Sequence, residues 1–180
     1  HMPTPVDGEI ATIEQTDGNH FFIGTGSGLF RVGVEKGELK LIPDEVVKSI
    51  TTPVHELYYH AISKQLFVGS YKEGILIYDI GQSSKITSCY SPNNVEINQI
   101  VALNADELLI ATGGKGVYKL DVNSCKSEPY ITADYSSYNG MNGNNINDIY
   151  VDEEERIWLA NYPTGITIRN NRYGRYDLIK

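Results

Sequence analysis

Apolar residues in this chain come in short runs broken by polar turns, and one arrangement of them occurs four times. Phe21-Phe-Ile-Gly-Thr-Gly-Ser-Gly-Leu-Phe-Arg-Val32, Leu66-Phe-Val-Gly-Ser-Tyr-Lys-Glu-Gly-Ile-Leu-Ile-Tyr78, Leu108-Leu-Ile-Ala-Thr-Gly-Gly-Lys-Gly-Val-Tyr-Lys-Leu120 and Arg156-Ile-Trp-Leu-Ala-Asn-Tyr-Pro-Thr-Gly-Ile-Thr-Ile-Arg169 each read as an apolar strand, a turn ending in glycine and a further strand. The marker glycines Gly28, Gly74, Gly116 and Gly165 recur at intervals of 46, 42 and 49 residues.

Each copy has a strand before this hairpin, marked by apolar residues three apart: Ile10/Ile13, Val54/Leu57, Ile97/Ile100 and Ile146/Ile149. A weaker outer strand follows, at about Leu39–Ile42, Ile86–Tyr90, Pro129–Ile131 and Tyr176–Ile179. The pattern predicts an all-β chain of four sequential four-stranded antiparallel meanders, and strand units at a period of about 40–50 residues are propeller blades. Their expected spans are 9–42, 53–90, 97–131 and 146–180, after a lead-in over 1–8 in which His1-Met2 reads as a vector scar. The second strands are apolar throughout and should be covered on both faces by stacked neighbours.

A meander alternates direction, so the turns between second and third strands must share one end of the sheets with the connections between units. That end collects Tyr71-Lys72-Glu73, Gly113-Gly-Lys115, Tyr162-Pro-Thr164 and the long polar connection Thr132–Asn145. Loops of that length and composition commonly carry function. Tyr71, Lys72, Tyr135, Tyr138, Asn139, Asn142 and Tyr162 are therefore the candidate ligand-binding residues. The acidic turns with Asp17, Asp106 and Glu153–Glu155 gather at the other end.

Composition narrows the function classes. A net charge of −8 opposes phosphate backbones and anionic membrane surfaces, so neither nucleic acid nor direct membrane contact is expected. Thirteen tyrosines against four phenylalanines and one tryptophan supply aromatic surface with a polar handle. Cys89 and Cys125 lie one unit apart at unequal repeat positions, a placement that favours two unpaired thiols over a disulfide.

No catalytic chemistry is expected. The four histidines lack metal-ligand spacing, so no metal is expected. Gly24-Thr-Gly-Ser-Gly28 joins two strands instead of opening a helix, so it is no dinucleotide loop and implies no cofactor. A glycosidase would need two carboxylates converging on one face, whereas the acids gather in the turns of the other end.

The run Gly140-Met-Asn-Gly-Asn-Asn-Ile-Asn-Asp-Ile149, then Asp152, Ile157-Trp-Leu-Ala-Asn161 and Gly165 resembles the regulator-propeller repeat of the sensors of hybrid two-component systems in Bacteroides-type bacteria. Copies one to three depart from it, with Phe22, Phe67 and Leu109 in place of the tryptophan. The resemblance implies a periplasmic sensor built of two seven-bladed propellers ahead of an immunoglobulin-like domain, a membrane helix and a histidine kinase. By the same resemblance this chain would be a piece of such a sensor, its ligands oligosaccharides, its output transcription of glycan-use genes, and any kinase activity would lie outside it.

Two readings follow: an oligosaccharide-sensing module, or a protein-interaction scaffold without a small ligand. Four blades of a larger plan would leave two lateral faces bare, showing side chains such as Phe21–Ile23 or Ile157–Leu159, and would favour contact with other propeller blades or self-association.

Overall fold

The computed structural model describes residues 6, 8–71, 73–80, 85–89, 94–134, 141, 143–170 and 175–179. It holds four four-stranded antiparallel sheets, each taking its strands in sequence order. Sheet 1 comprises β1 (Ile10–Asp17), β2 (His20–Thr25), β3 (Gly28–Glu35) and β4 (Glu38–Leu41), and a short helix α1 (Glu45–Lys48) follows it. Sheet 2 comprises β5 (Val54–His60), β6 (Gln65–Ser70), β7 (Gly74–Asp79) and β8 (Lys85–Ser88). Sheet 3 comprises β9 (Ile97–Ala102), β10 (Glu107–Thr112), β11 (Gly116–Asp121) and β12 (Lys126–Ile131), and sheet 4 comprises β13 (Ile146–Val151), β14 (Arg156–Asn161), β15 (Gly165–Asn170) and β16 (Arg175–Ile179).

The apolar pairs three apart have a structural cause. Side chains alternate along a strand, so residues three apart would face opposite sides. Each first strand breaks this rule with a register shift, between Ile10 and Thr12, Val54 and Glu56, Ile146 and Asp148, and opposite Ala111/Thr112 in sheet 3. The extra residue of such a bulge returns both apolar side chains to one face. In sheets 2, 3 and 4 that pair is buried, whereas in sheet 1 Ile10 and Ile13 are 45% and 59% exposed.

The chain divides into two compact units, residues 1–88 and 89–180. In the first, Phe22 and Leu29 of sheet 1 pack with Leu57, Leu66, Val68, Leu76 and Tyr78 of sheet 2, joined by Val47 and Ile50 from the helical connection. The Phe22 and Tyr78 rings lie 5.4 Å apart in a tilted arrangement. Polar groups also cross this interface, and Glu14 Oε1 accepts a 2.8 Å bond from the Tyr59 amide. Burial pushes the Glu14 carboxyl up, and that bond only partly offsets it.

In the second unit Leu109, Ala111 and Val117 of sheet 3 pack against Ile146, Ile149, Ile157 and Leu159 of sheet 4, with Met141 buried among them. Here a neutral side chain does what Glu14 does in the first unit, since Gln99 Oε1 accepts from the Ile149 amide. Asn98 Nδ2 donates to the Ile146 carbonyl at 2.7 Å. The second strands are covered on both faces in β6 and β10, but Trp158 in β14 is only half-buried.

Two expectations are corrected. Cys89 and Cys125 form a disulfide with a Cα–Cα distance of 5.1 Å. Unequal repeat positions misled because the bridge joins a connecting segment, not a strand, to the β11–β12 turn. Ile157 and Leu159 are fully buried, since they point toward sheet 3, and the side of sheet 4 left open is the one bearing Tyr150, Trp158 and Ile166.

The β13–β14 turn is organised by Asp152. Its Oδ2 accepts 2.7 Å bonds from Trp158 Nε1 and Arg156 Nε, and its Oδ1 accepts from the Arg156 and Glu154 amides. Desolvation by itself raises the Asp152 pKa, but the bonds from Trp158 and Arg156 outweigh it and bring the carboxyl from 3.8 to about 2. A carboxylate depressed in the folded state adds stability that is complete above the unfolded pKa and is lost as pH falls through the folded one. The stability difference between the wild type and Asp152→Ala should therefore be constant above about pH 5 and shrink between pH 4 and pH 2. Urea unfolding followed by the fluorescence of Trp158, the single tryptophan, measures it, and a difference independent of pH would contradict the assignment.

Candidate ligand-binding site

Each second strand ends in a buried polar side chain: Thr25, Ser70, Thr112 and Asn161. Thr25 and Thr112 donate to the carbonyls of Gly28 and Gly116 at 3.1 and 2.7 Å. Ser70 donates to Thr52 Oγ1 at 3.2 Å, and Asn161 Nδ2 to the Gly143 carbonyl at 3.2 Å. The first pair tie each turn across itself, and the second pair tie it to the preceding connection. A buried hydroxyl or amide left unpaired would be costly, so these bonds hold the turns in one geometry.

The connections reach the same end. Leu29 N donates to Ile50 O in the first unit, and in the second Gly114 and Gly116 donate to Asn144 O while Tyr162 N donates to Asn145 O. The segment 143–145 is thus clasped between the β10–β11 and β14–β15 turns.

Tyr71 and Tyr162 occupy equivalent places in the repeat, one in each unit. Each is the first residue of a three-residue turn closed by glycine, Ser70 to Gly74 and Asn161 to Gly165. Their side chains are 48% and 62% exposed. Tyr71 belongs to the first unit and Tyr162 to the second. Lys72, Tyr135, Tyr138, Asn139 and Asn142 lie outside the described residues.

The first unit also has a cavity of about 180 Å³ at this end, between the β2–β3 turn and the helical connection. Its walls are apolar, with Leu29, Phe30, Leu41 and Ile42 among them, and Ser27, Arg31, Asp44 and Lys48 supply polar groups. Asp44 is fixed there as the N-cap of α1, accepting from the Val46 and Val47 amides. It also accepts from the Tyr78 hydroxyl at 2.5 Å and from Arg31 Nη1 at 3.3 Å. Burial alone would raise its pKa, but these donors, Tyr78 first, hold the carboxyl below its ordinary range. With Asp44 engaged by four donors, the polar group the cavity offers beside its apolar wall is the Arg31 guanidinium that Asp44 orients, an arrangement suited to a small ligand with an apolar face and an accepting edge.

The sequence pattern assigned no site to the connection 43–52, which forms one wall of this cavity. Pro43-Asp44-Glu45 carried the signal, a capping aspartate with an acidic first turn. Among the described residues no group of three His, Cys, Asp or Glu side chains could share a metal ion.

The four meanders have counterparts in solved structures. The repeats of RRP9, a WD40 protein, match 98% of this chain and 52% of that one at 13% identity, with a TM-score of 0.73. The sheets are β-propeller blades. The extracellular domain of BT4673 from B. thetaiotaomicron, described as a one component or a hybrid two component system, matches 88% of this chain at 24% identity and a TM-score of 0.70. That of BT3049, described as a hybrid two component system of the same organism, matches the whole chain at 16% identity and 0.57. At these identities the likeness establishes the fold. The chain spans 21% of the length of the BT4673 domain and 30% of that of BT3049. No protein-family model and no curated protein matches the sequence.

Proposed function

We propose that this chain is a ligand-sensing, extracytoplasmic propeller module of a two-component sensor that recognises oligosaccharides and passes the signal to transcription through a kinase carried elsewhere in the protein. The observation that carries this reading is the pair of exposed tyrosines, Tyr71 and Tyr162, at equivalent turns whose backbone is pinned by buried hydrogen bonds. An exposed aromatic ring on a turn of fixed backbone, one in each unit, suits stacking on a sugar face. The connection-end cavity adds the Arg31 guanidinium as a donor for hydroxyl groups. Two further observations support the compartment: the blades share their fold with extracellular sensor domains, and the Cys89–Cys125 disulfide belongs to oxidising surroundings. Among the described residues no helix is long and apolar enough to cross a membrane.

Thermal denaturation against a panel of oligosaccharides tests the reading. A ligand at 100 times its dissociation constant stabilises by about 2.7 kcal/mol, on the order of 5–10 °C for a chain of this size. Tyr71→Ala and Tyr162→Ala are each expected to weaken binding about tenfold, with the melting point of the free protein unchanged. If no oligosaccharide moves the melting point, or both variants bind as the wild type does, the proposal fails.

A further inference from the structure

The connection-end cavity is built from residues between 27 and 51, all inside the first unit. Its lining carries two cations, Arg31 and Lys48, against one anion, Asp44, on a chain whose net charge is −8. Arg31 is held from two directions: its guanidinium carbon lies 5.8 Å from the centre of the Phe22 ring, and its Nη1 donates to Asp44 Oδ2 at 3.3 Å. Among the described residues, Nε of this side chain is buried and meets no acceptor. Arg156 provides the contrast, since its Nε donates to Asp152 and its Nη2 to Glu154, at 2.7 and 2.9 Å.

A guanidinium presents its donors as a planar fork, and the Nε–Nη2 edge offers two parallel N–H groups at the spacing of the two oxygens of a carboxylate. A buried donor without an acceptor is costly, so a ligand that supplies one removes that cost on binding. Asp44 does not serve this edge. Its oxygens are engaged by the Val46 and Val47 amides and the Tyr78 hydroxyl, and its bond to Arg31 goes to Nη1. Lys48 also lines the cavity, but its ammonium donates to Glu45 Oε1 at 2.6 Å. Size limits the rest of the ligand. A cavity of about 150 Å³ holds one benzene ring, and this one measures about 180 Å³. Its apolar wall of Leu29, Phe30, Leu41 and Ile42 suits the C–H face of a single six-membered sugar ring.

We propose, resting on the oligosaccharide-sensing function above, that this cavity receives a uronic acid residue of the ligand, its carboxylate paired with the Nε–Nη2 edge of Arg31 and its ring against the apolar wall. The module then selects acidic oligosaccharides over neutral ones. A neutral sugar presents its hydroxyl oxygens singly and has no planar pair of acceptors to fill both donors of the edge. A carboxylate there is not left as an unpaired buried charge, because the cations of the lining outnumber its anion. The bonds it accepts come from an ionised donor fixed beforehand by Asp44 and Phe22, and little ordering of Arg31 opposes binding.

Isothermal titration calorimetry on the full chain at fixed ionic strength tests this with glucuronate and galacturonate against glucose and galactose, and with acetate as a carboxylate without a ring. At least one uronate is expected to bind about tenfold or more tightly than its neutral counterpart, and acetate more weakly than that uronate. Arg31→Lys keeps a cation beside Asp44 but loses the fork, and should bring the uronate down to the affinity of the neutral sugar, with circular dichroism unchanged. Lys48→Ala, which breaks an exposed ion pair, should change uronate affinity by about threefold at most. The comparison of acidic with neutral sugars on the wild type stands whether or not Arg31→Lys folds. Neutral sugars that bind as tightly as the uronates overturn the proposal, as does N-acetylglucosamine 6-sulfate binding where the uronates do not, or no uronate binding at millimolar concentration. Each of these results leaves the sensing function to be decided by the melting experiment with the oligosaccharide panel, in which a shift produced by neutral oligosaccharides alone upholds that function and rejects the uronate.

Discussion

Gly116→Ala is expected to destabilise the folded chain by about 3 kcal/mol or more, one of the largest effects of any single-atom change in it. Gly116 has a φ of +79°, a conformation that costs an alanine about 1 kcal/mol or more. A methyl group there would also overlap the Ile131 carbonyl and press on Asn144 Oδ1 and Thr132 Cα at 3.2 and 3.3 Å. Those atoms cannot yield cheaply, because Ile131 ends β12 and Asn144 is bonded to Gly114, Gly116 and Ala133. Gly37 provides the control, since its φ is +80° and nothing lies within 4 Å of the site. Gly37→Ala should cost only the strain, about 1 kcal/mol. Urea denaturation of the two variants separates strain from overlap, and equal losses would contradict the close approach of the connection.

Reducing the Cys89–Cys125 bond should cost a comparable amount. The bridge closes a loop of 36 residues, and the chain-entropy model assigns about 3–4 kcal/mol to a crosslink of that span. The double variant Cys89→Ser with Cys125→Ser should unfold at correspondingly lower urea and should no longer respond to dithiothreitol. A wild-type midpoint that is the same with and without reductant would show that the bond contributes nothing to folding.

These two positions mark where the sequence was legible and where it was not. Gly116 stood out because it recurs with Gly28, Gly74 and Gly165, and a repeat carries its information in periodicity. The same periodicity delivered all sixteen strands and the order within each sheet. The apolar pairs three apart were visible too, yet alternation alone would have set Val54 and Leu57 on opposite faces, and the bulge that reunites them has no residue-level signature here. Non-repeated features were lost. Cys89 and Asp44 sit in connections, where nothing in the neighbouring units supplies a template, and distance across the fold cannot be read from spacing along the chain. The candidate site divides the same way. Tyr71 and Tyr162 could be placed at equivalent turns because turns recur, whereas the cavity lined by Arg31, Asp44 and Ser27 depends on the helix α1, which among the described residues has no counterpart in the other connections.

Hydrogen–deuterium exchange with and without a binding oligosaccharide bears most directly on the claim that ligand is held at the connection end of the blades. Protection is expected in the Ser70–Gly74 and Asn161–Gly165 turns and in the 43–52 connection, with the opposite turns at 61–64 and 152–155 unchanged. Protection confined to those opposite turns, or spread evenly over the strands, would contradict it.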